Sequence, residues 1–293
     1  MPERLLPFYD DVQAHYDLSD DFFATFLDPT RTYSCAYFSR DDMTLEQAQL
    51  AKIDLALGKC DLRPGMTLLD VGCGWGSTMM RARDHFDVDV IGLTLSRNQF
   101  THVTHATDSP LRNGRTAEVR LEGWEDFDEP VDRIVSIGAF EHFRRERYGA
   151  FFERCHSILP PDGRMLLHTI VQYNRHEIRA KGLPINREVL EFANFINAEI
   201  FPGGQLPEPE WVVADARAAG FVVERIHPLR LHYARTLDHW CATLREHRDE
   251  AIAAASPAAY DTYVKYLGGT GDYFRNGYID VMQFSLAKAP GRG

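Results

Sequence analysis

The sequence predicts an α/β fold built on a mostly parallel sheet of seven strands. Three observations carry that expectation. Short apolar segments alternate with helix-compatible ones from about residue 60 onward, the pattern of right-handed βαβ units. The first of these apolar segments runs into a glycine-rich turn, "LLDVGCGWGSTMM", where a strand should become a helix. The composition, 44% hydrophobic and 26% charged over 293 residues, is that of an ordinary globular chain long enough for a large core.

In chain order, residues 1–60 read as a helical cover. Ser19 is a plausible N-cap for "DDFFATFLD", whose Phe22, Phe23, Phe26 and Leu27 recur at helical spacing. Thr44 and Gln47 fit a capping box opening "LEQAQLAKIDLALGKC". Strands are expected at 67–71, 88–93, 118–121, 133–137, 164–170, 221–226 and 279–287. The direction of the last strand, after a long helical stretch and an Asn-Gly turn, is not readable from sequence. Residues 172–212 break the rhythm: they carry the apolar "EVLEFANFINAEIF" and the turn-rich "PGGQLPEPE". They read as an insertion over the carboxyl ends of the strands, where open α/β sheets bind ligands. With no repeat, low-complexity tract or linker in view, residues 1–293 read as a single domain.

A net charge of −11 argues against nucleic acid as the main partner, because phosphate binding wants a surplus of Lys and Arg. The five cysteines (Cys35, Cys60, Cys73, Cys155 and Cys241) form no CxxC pair and no zinc spacing, so no metal site is expected. They read as reduced thiols of a cytoplasmic protein. The amino-terminal segment has acids and no long apolar stretch, unlike a signal peptide, and no run approaches a membrane span.

Gly72, Gly74 and Gly76 let a ligand approach backbone that a Cβ would block, beside the N–H groups of a helix N-terminus. A dinucleotide site would place an acid about 20 residues on, for the ribose. That position reads "IGLTLSRNQ", with Thr94, Ser96 and Gln99 and no carboxylate, so NAD is disfavoured. Asp70, just before the glycines, suits a ligand with a cationic end.

The motifs "VQAHYDLSDDFF", "TYSCAYF", "LDVGCGWG", "GLTLSRNQ", "GWEDF", "VDRIVSIGAFEHF", "LLHTI", "EIFPGGQLP" and "HYARTL" follow one another along the chain. With them it resembles the mycolic acid cyclopropane synthase family of mycobacteria, from about Val12 to Ala287. The resemblance implies a Rossmann-like class I methyltransferase fold, with the 172–212 insertion as a lid over an acyl chain. It implies S-adenosylmethionine as methyl donor. Gly72 and Gly74 would pack under the cofactor, Tyr33 and Ser34 close over it, Thr94, Leu95, Ser96 and Gln99 hold the ribose side, and Trp124 with Glu125 flank the adenine. The implied reaction methylates a cis double bond of a long unsaturated meromycolyl chain carried on acyl carrier protein. A bicarbonate ion, held among Cys35, Glu141, His168 and Tyr233, would then deprotonate the carbocation to close a cyclopropane. Glu141 beside such an anion implies a shared proton and a coupled titration. The missing extra N-terminal domain of the phospholipid cyclopropane synthases points to the mycolate branch.

Tyr16, Phe140, Phe143 and Phe201 offer π faces to a passing cation, or are ordinary core. His15 to Asp17 are expected to tie the cover over the cofactor. Thr270, in "KYLGGT", stands where many relatives carry cysteine, so no thiol nucleophile is available there. Arg144, Arg145, Arg147, Arg175, Arg179 and Lys181 form a basic cluster in an acidic chain, read either as carrier-protein docking or as a solvated face. A transient association with a membrane surface is the other expected contact. Two alternatives stay open: a hydroxylated methyl-branched or methyl-shifted trans-alkene product, and a catalytically silent acyl-chain binder. Gly138 favours the ring, since relatives making the other products tend to carry Glu there.

Overall fold

The structure, a computed structural model, describes residues 5–7, 20–107, 114–202 and 204–289. Ser19 and the segment His15 to Asp17, including Tyr16, lie outside the described residues.

Seven strands form one sheet: β1 (Thr67–Val71), β2 (Asp89–Thr94), β3 (Ala117–Leu121), β4 (Arg133–Ile137), β5 (Arg164–Gln172), β6 (Phe221–Pro228) and β7 (Ile279–Lys288). Their order is β3-β2-β1-β4-β5-β7-β6. β1 to β5 pair in parallel, and β7 inserts antiparallel between β5 and β6. This is the class I methyltransferase sheet, and it decides the direction that the sequence left open. The central strands are buried on both faces; β4 and its neighbours carry near-continuous apolar runs, as parallel strands covered on both sides must. The chain leaves β1 toward β2 on one side and leaves β4 toward β5 on the other, so the carboxyl ends of these neighbouring strands open a crevice between them.

Among its described residues, the amino-terminal cover is less helical than expected. α1 (Asp20–Ala24) is short, and α2 (Leu45–Lys59) opens with the Thr44/Gln47 capping box, both reciprocal bonds present. Between them the chain is not helical. Gln49 Nε2 donates to the carbonyls of Thr32 and Ser34, and Ala36 N donates to Thr236 Oγ1. These bonds hold Tyr33, Ser34 and Cys35 against the end of the sheet in place of helix bonds. Phe22, Phe23 and Phe26 pack edge-on against Tyr263, Tyr33 and Trp240, so the cover is anchored on the carboxy-terminal helices.

α3 (Ser77–Phe86), α4 (Arg97–Thr107) and α5 (Tyr148–Ile158) follow β1, β2 and β4. The insertion after β5 consists of α6 (Arg175–Ala180), α7 (Arg187–Phe195) and a π turn at Ile196–Ile200. It ends by residue 208, because α8 (Pro209–Ala218) is an ordinary crossover helix whose Val212 and Ala216 are buried in the core beside α5. A second helical block, α9 (Arg230–Glu246), α10 (Arg248–Ala254) and α11 (Pro257–Asn276), separates β6 from β7 and forms the other wall over the sheet.

Candidate active site

Two neighbouring cavities open at the carboxyl ends of the strands. The first, of about 1040 Å³, is lined by Tyr33, Ser34, Gly72, Gly74, Thr94, Leu95, Gln99, Trp124 and Glu125 together with Lys52, Asp70 and Phe143. The second, of about 730 Å³, brings together Cys35, Glu141, His168 and Tyr233. Tyr33, Ser34, Gly138 and His142 line both, so the cavities share a wall.

The first cavity is built around bare backbone. Gly72 (φ 82°) and Gly74 (φ 56°) sit in the left-handed region that glycine favours. A Cβ on Gly72 would lie 2.5 Å from Ala139 Cβ, whereas Gly74 has open space. Asp70 is buried, its Oδ2 has no protein partner, and burial pushes its carboxyl up to about 7 against the pull of Lys52. Glu125 Oε1 accepts from Arg147 at 2.9 Å while its buried Oε2 has no partner, and burial raises its pKa. Trp124 Nε1 is likewise buried without a partner. Thr94 Oγ1 donates to Gln99 Oε1 at 2.8 Å. Ser96 alone of the expected cofactor residues lines neither cavity. It is buried, its Oγ accepts from Gln99 N at 3.3 Å, and it shapes the turn into α4 from behind.

S-adenosylmethionine carries an ammonium, ribose hydroxyls and an adenine with an exocyclic amine. The unpartnered buried acceptors on Asp70 and Glu125, the indole face of Trp124 and the uncovered glycine backbone fit those groups. Beneath the shared wall, Lys52 is fully buried with Nζ donating to Ser34 Oγ at 2.8 Å, and burial lowers its pKa to about 8.

In the second cavity, Glu141 sits on a 3-10 turn after β4 and accepts from Thr169 Oγ1 at 2.9 Å. Burial pushes its carboxyl up to about 7. Burial raises the Cys35 thiol, leaving it a protonated donor and not a nucleophile. His168 is buried on β5 with its pKa well below the ordinary value, from burial first and then from Lys52, Lys59 and His227. Its Nε2 has no protein partner. Such a carboxyl near neutrality, flanked by donors, suits a small anion or a shared proton.

Among the expected aromatics, Phe143 lines the first cavity and Phe201 the second. Phe140 lines neither: it is stacked on Tyr148 at 4.2 Å within the core. Thr270 lies on α11 and lines neither cavity. The sequence reading missed Lys52, Tyr266 and His142, although His142 lies inside the quoted "AFEHF". Members of the basic cluster are already engaged within the fold. Arg145 pairs with Asp215 at 2.6 Å, Arg147 with Glu125, and Lys181 Nζ sits over the Tyr173 ring. Among the described residues no helix is long and apolar enough to cross a membrane.

Comparison with known proteins gives one consistent result. Residues 4–284 match the family model for mycolic acid cyclopropane synthetase. The chain is 59% identical to cyclopropane mycolic acid synthase 1 of Mycobacterium tuberculosis over 288 residues, covering 98% of this chain and 100% of that one. The structure superposes on the cyclopropane synthase MmaA2 from Mycobacterium tuberculosis with a TM-score of 0.95 at 58% identity, covering 98% of this chain and all of the other. It matches mycolic acid cyclopropane synthase CmaA1, solved in complex with SAH and CTAB, with a TM-score of 0.94 at 59% identity and the same coverage. The chain therefore belongs to the mycolic acid cyclopropane synthetase family.

Proposed function

We propose that this protein is an S-adenosylmethionine-dependent methyltransferase that converts a cis double bond of a long unsaturated meromycolyl chain, carried on acyl carrier protein, into a cyclopropane. The observation that carries the reading is the pair of cavities sharing Tyr33, Ser34, Gly138 and His142, one lined by the cofactor residues and the other by acid–base residues. The structure of the relative CmaA1, solved in complex with SAH, supports the donor.

In this reading Asp70, Gln99, Trp124 and Glu125 hold the cofactor, which when bound supplies an electrophilic methyl group. Tyr33 and Ser34, on the shared wall, orient the alkene toward it. Tyr33, Phe201, Tyr233 and Tyr266 surround the alkyl cation with aromatic faces and exclude water, which would quench it as an alcohol. Cys35, His168 and Tyr233 donate to an anion of bicarbonate size, which supplies the base when bound. Glu141, near half-protonated at neutral pH, shares a proton with it and so avoids two adjacent negative charges.

The ring is favoured over an alcohol by the space beside Gly138. A Cβ there would meet only Ser34 Cβ at 3.7 Å and Glu141 Oε1 at 4.0 Å, so the wall between the cavities is open where a bulkier side chain would intrude. Mass spectrometry of the product from a cis-alkene acyl carrier tests this, since the ring adds one CH₂ and the alcohol a further water. A wild-type product carrying that water would overturn the ring; no cofactor turnover with any cis-alkene acyl carrier would favour a silent acyl-chain binder.

A further inference from the structure

His168 and Gln283 are direct cross-strand partners on β5 and β7, and His227 faces Gln283 from β6. These three side chains form a row across the sheet that ends in the second cavity. Lys59, the last residue of α2, closes the row from behind: its Nζ reaches both Gln283 Oε1 and His227 Nδ1, the latter at 3.0 Å. Gln283 Nε2 lies 3.2 Å from His168 Nδ1. At the far end, His168 lines the second cavity, and its Nε2 is buried with no protein partner.

We propose that Lys59 and Gln283 are positioning residues that lock His168 as the neutral Nε2–H tautomer, presenting a fixed hydrogen-bond donor to the second cavity. The direction of every bond follows from one end. An ammonium has three donors and no acceptor, so Lys59 requires the oxygen of the Gln283 amide. That orientation turns the amide NH₂ toward His168 Nδ1, which must then accept. A neutral imidazole accepting at Nδ1 carries its proton on Nε2, and the second nitrogen of a histidine is commonly set by such a partner. An imidazolium would place Nδ1–H against the amide NH₂, two donors facing each other. The surrounding cations, Lys52 and Lys59, and the imidazole of His227 oppose protonation further. His168 therefore donates to an anion and cannot serve as the base that removes a proton.

The catalytic consequence rests on the anion-site reading above; the tautomer itself is observable without turnover. Long-range proton–nitrogen correlation spectra of the protein labelled at histidine, with His168→Gln to assign the signal, should show a pyrrole-like Nε2 and a pyridine-like Nδ1. In Gln283→Glu both carboxylate oxygens accept, so Nδ1 should gain a proton, as the opposite tautomer or an imidazolium. Turnover should fall about 10- to 100-fold with cofactor binding retained, the usual size of such an outer-shell loss. Lys59→Met should give mixed tautomers and Lys59→Arg should restore the wild-type pattern. A pyridine-like Nε2 in the wild type, or an unchanged pattern in Gln283→Glu, would overturn the proposal. If Gln283→Glu does not fold, the wild-type spectrum with Lys59→Met decides. Failure of the anion reading looks different: the expected tautomer with turnover indifferent to bicarbonate.

Discussion

Replacing Glu141 by Gln should make the enzyme more stable while disabling it. Burial lifts this carboxyl from an ordinary 4.5 to about 7, so the folded state holds a proton that the unfolded state releases between those values. A raised acid pKa costs nothing below about pH 4.5, and its penalty is complete above about pH 7. At roughly 1.4 kcal/mol for each pKa unit, the ionised Glu141 destabilises the fold by about 3 kcal/mol at pH 8. A glutamine keeps an oxygen for Thr169 Oγ1 and never ionises. Over a chain this long, with about 2 cal/mol/K of unfolding entropy per residue, 3 kcal/mol corresponds to a rise of about 5 °C in Tm. Thermal melts of wild type and Glu141→Gln at pH 5 and pH 8 measure it: the variant should gain little at pH 5 and most of the difference at pH 8. Cofactor affinity should be nearly unchanged and turnover down by about a hundredfold or more, the scale of losing an acid–base group. Equal melting curves at both pH values would refute an uncompensated buried carboxyl; parallel loss of cofactor binding would make Glu141 structural.

Calorimetry should show S-adenosylmethionine and its demethylated product binding with affinity that weakens as pH falls through about 7, because protonated Asp70 no longer pairs with an ammonium; Asp70→Asn should bind weakly at every pH. Gly72→Ala should lose stability and cofactor affinity together, since its Cβ would sit 2.5 Å from Ala139 Cβ at a φ of 82°, whereas a well-folded variant with normal affinity would remove the close-approach argument. His168→Ala should leave cofactor affinity in calorimetry near wild type and lower turnover about a hundredfold or more. Gly138→Glu would put a second carboxylate close to Glu141, and mass spectrometry should register a shift toward a hydroxylated or rearranged alkene product.

Much of this molecule was legible because it rests on local rules. The strands at 67–71 and 133–137 have the expected bounds, and the Thr44/Gln47 capping box is present, since alternation, capping and glycine turns act within a few residues. Nine of the ten expected cofactor residues line one cleft, and seven of them, all but Tyr33 and Ser34, do so because they sit in short motifs at the ends of adjacent strands, which parallel pairing must bring together. Pairing decided the rest. The antiparallel insertion of β7 places Gln283 opposite His168, 115 residues away in sequence, and no local pattern encodes that register. The stretch 32–38 is aromatic enough to pass for part of a helical cover, yet Gln49 and Thr236 supply its backbone with long-range partners, and its Tyr33 and Ser34 line the wall between the cavities. Phe140 and Phe143 read alike in sequence; only packing sends one into the core against Tyr148 and the other to the cleft. Burial, too, belongs to the assembled fold: Glu141, Asp70 and Lys52 acquire their shifted proton affinities only when the helices on both sides of the sheet close water out.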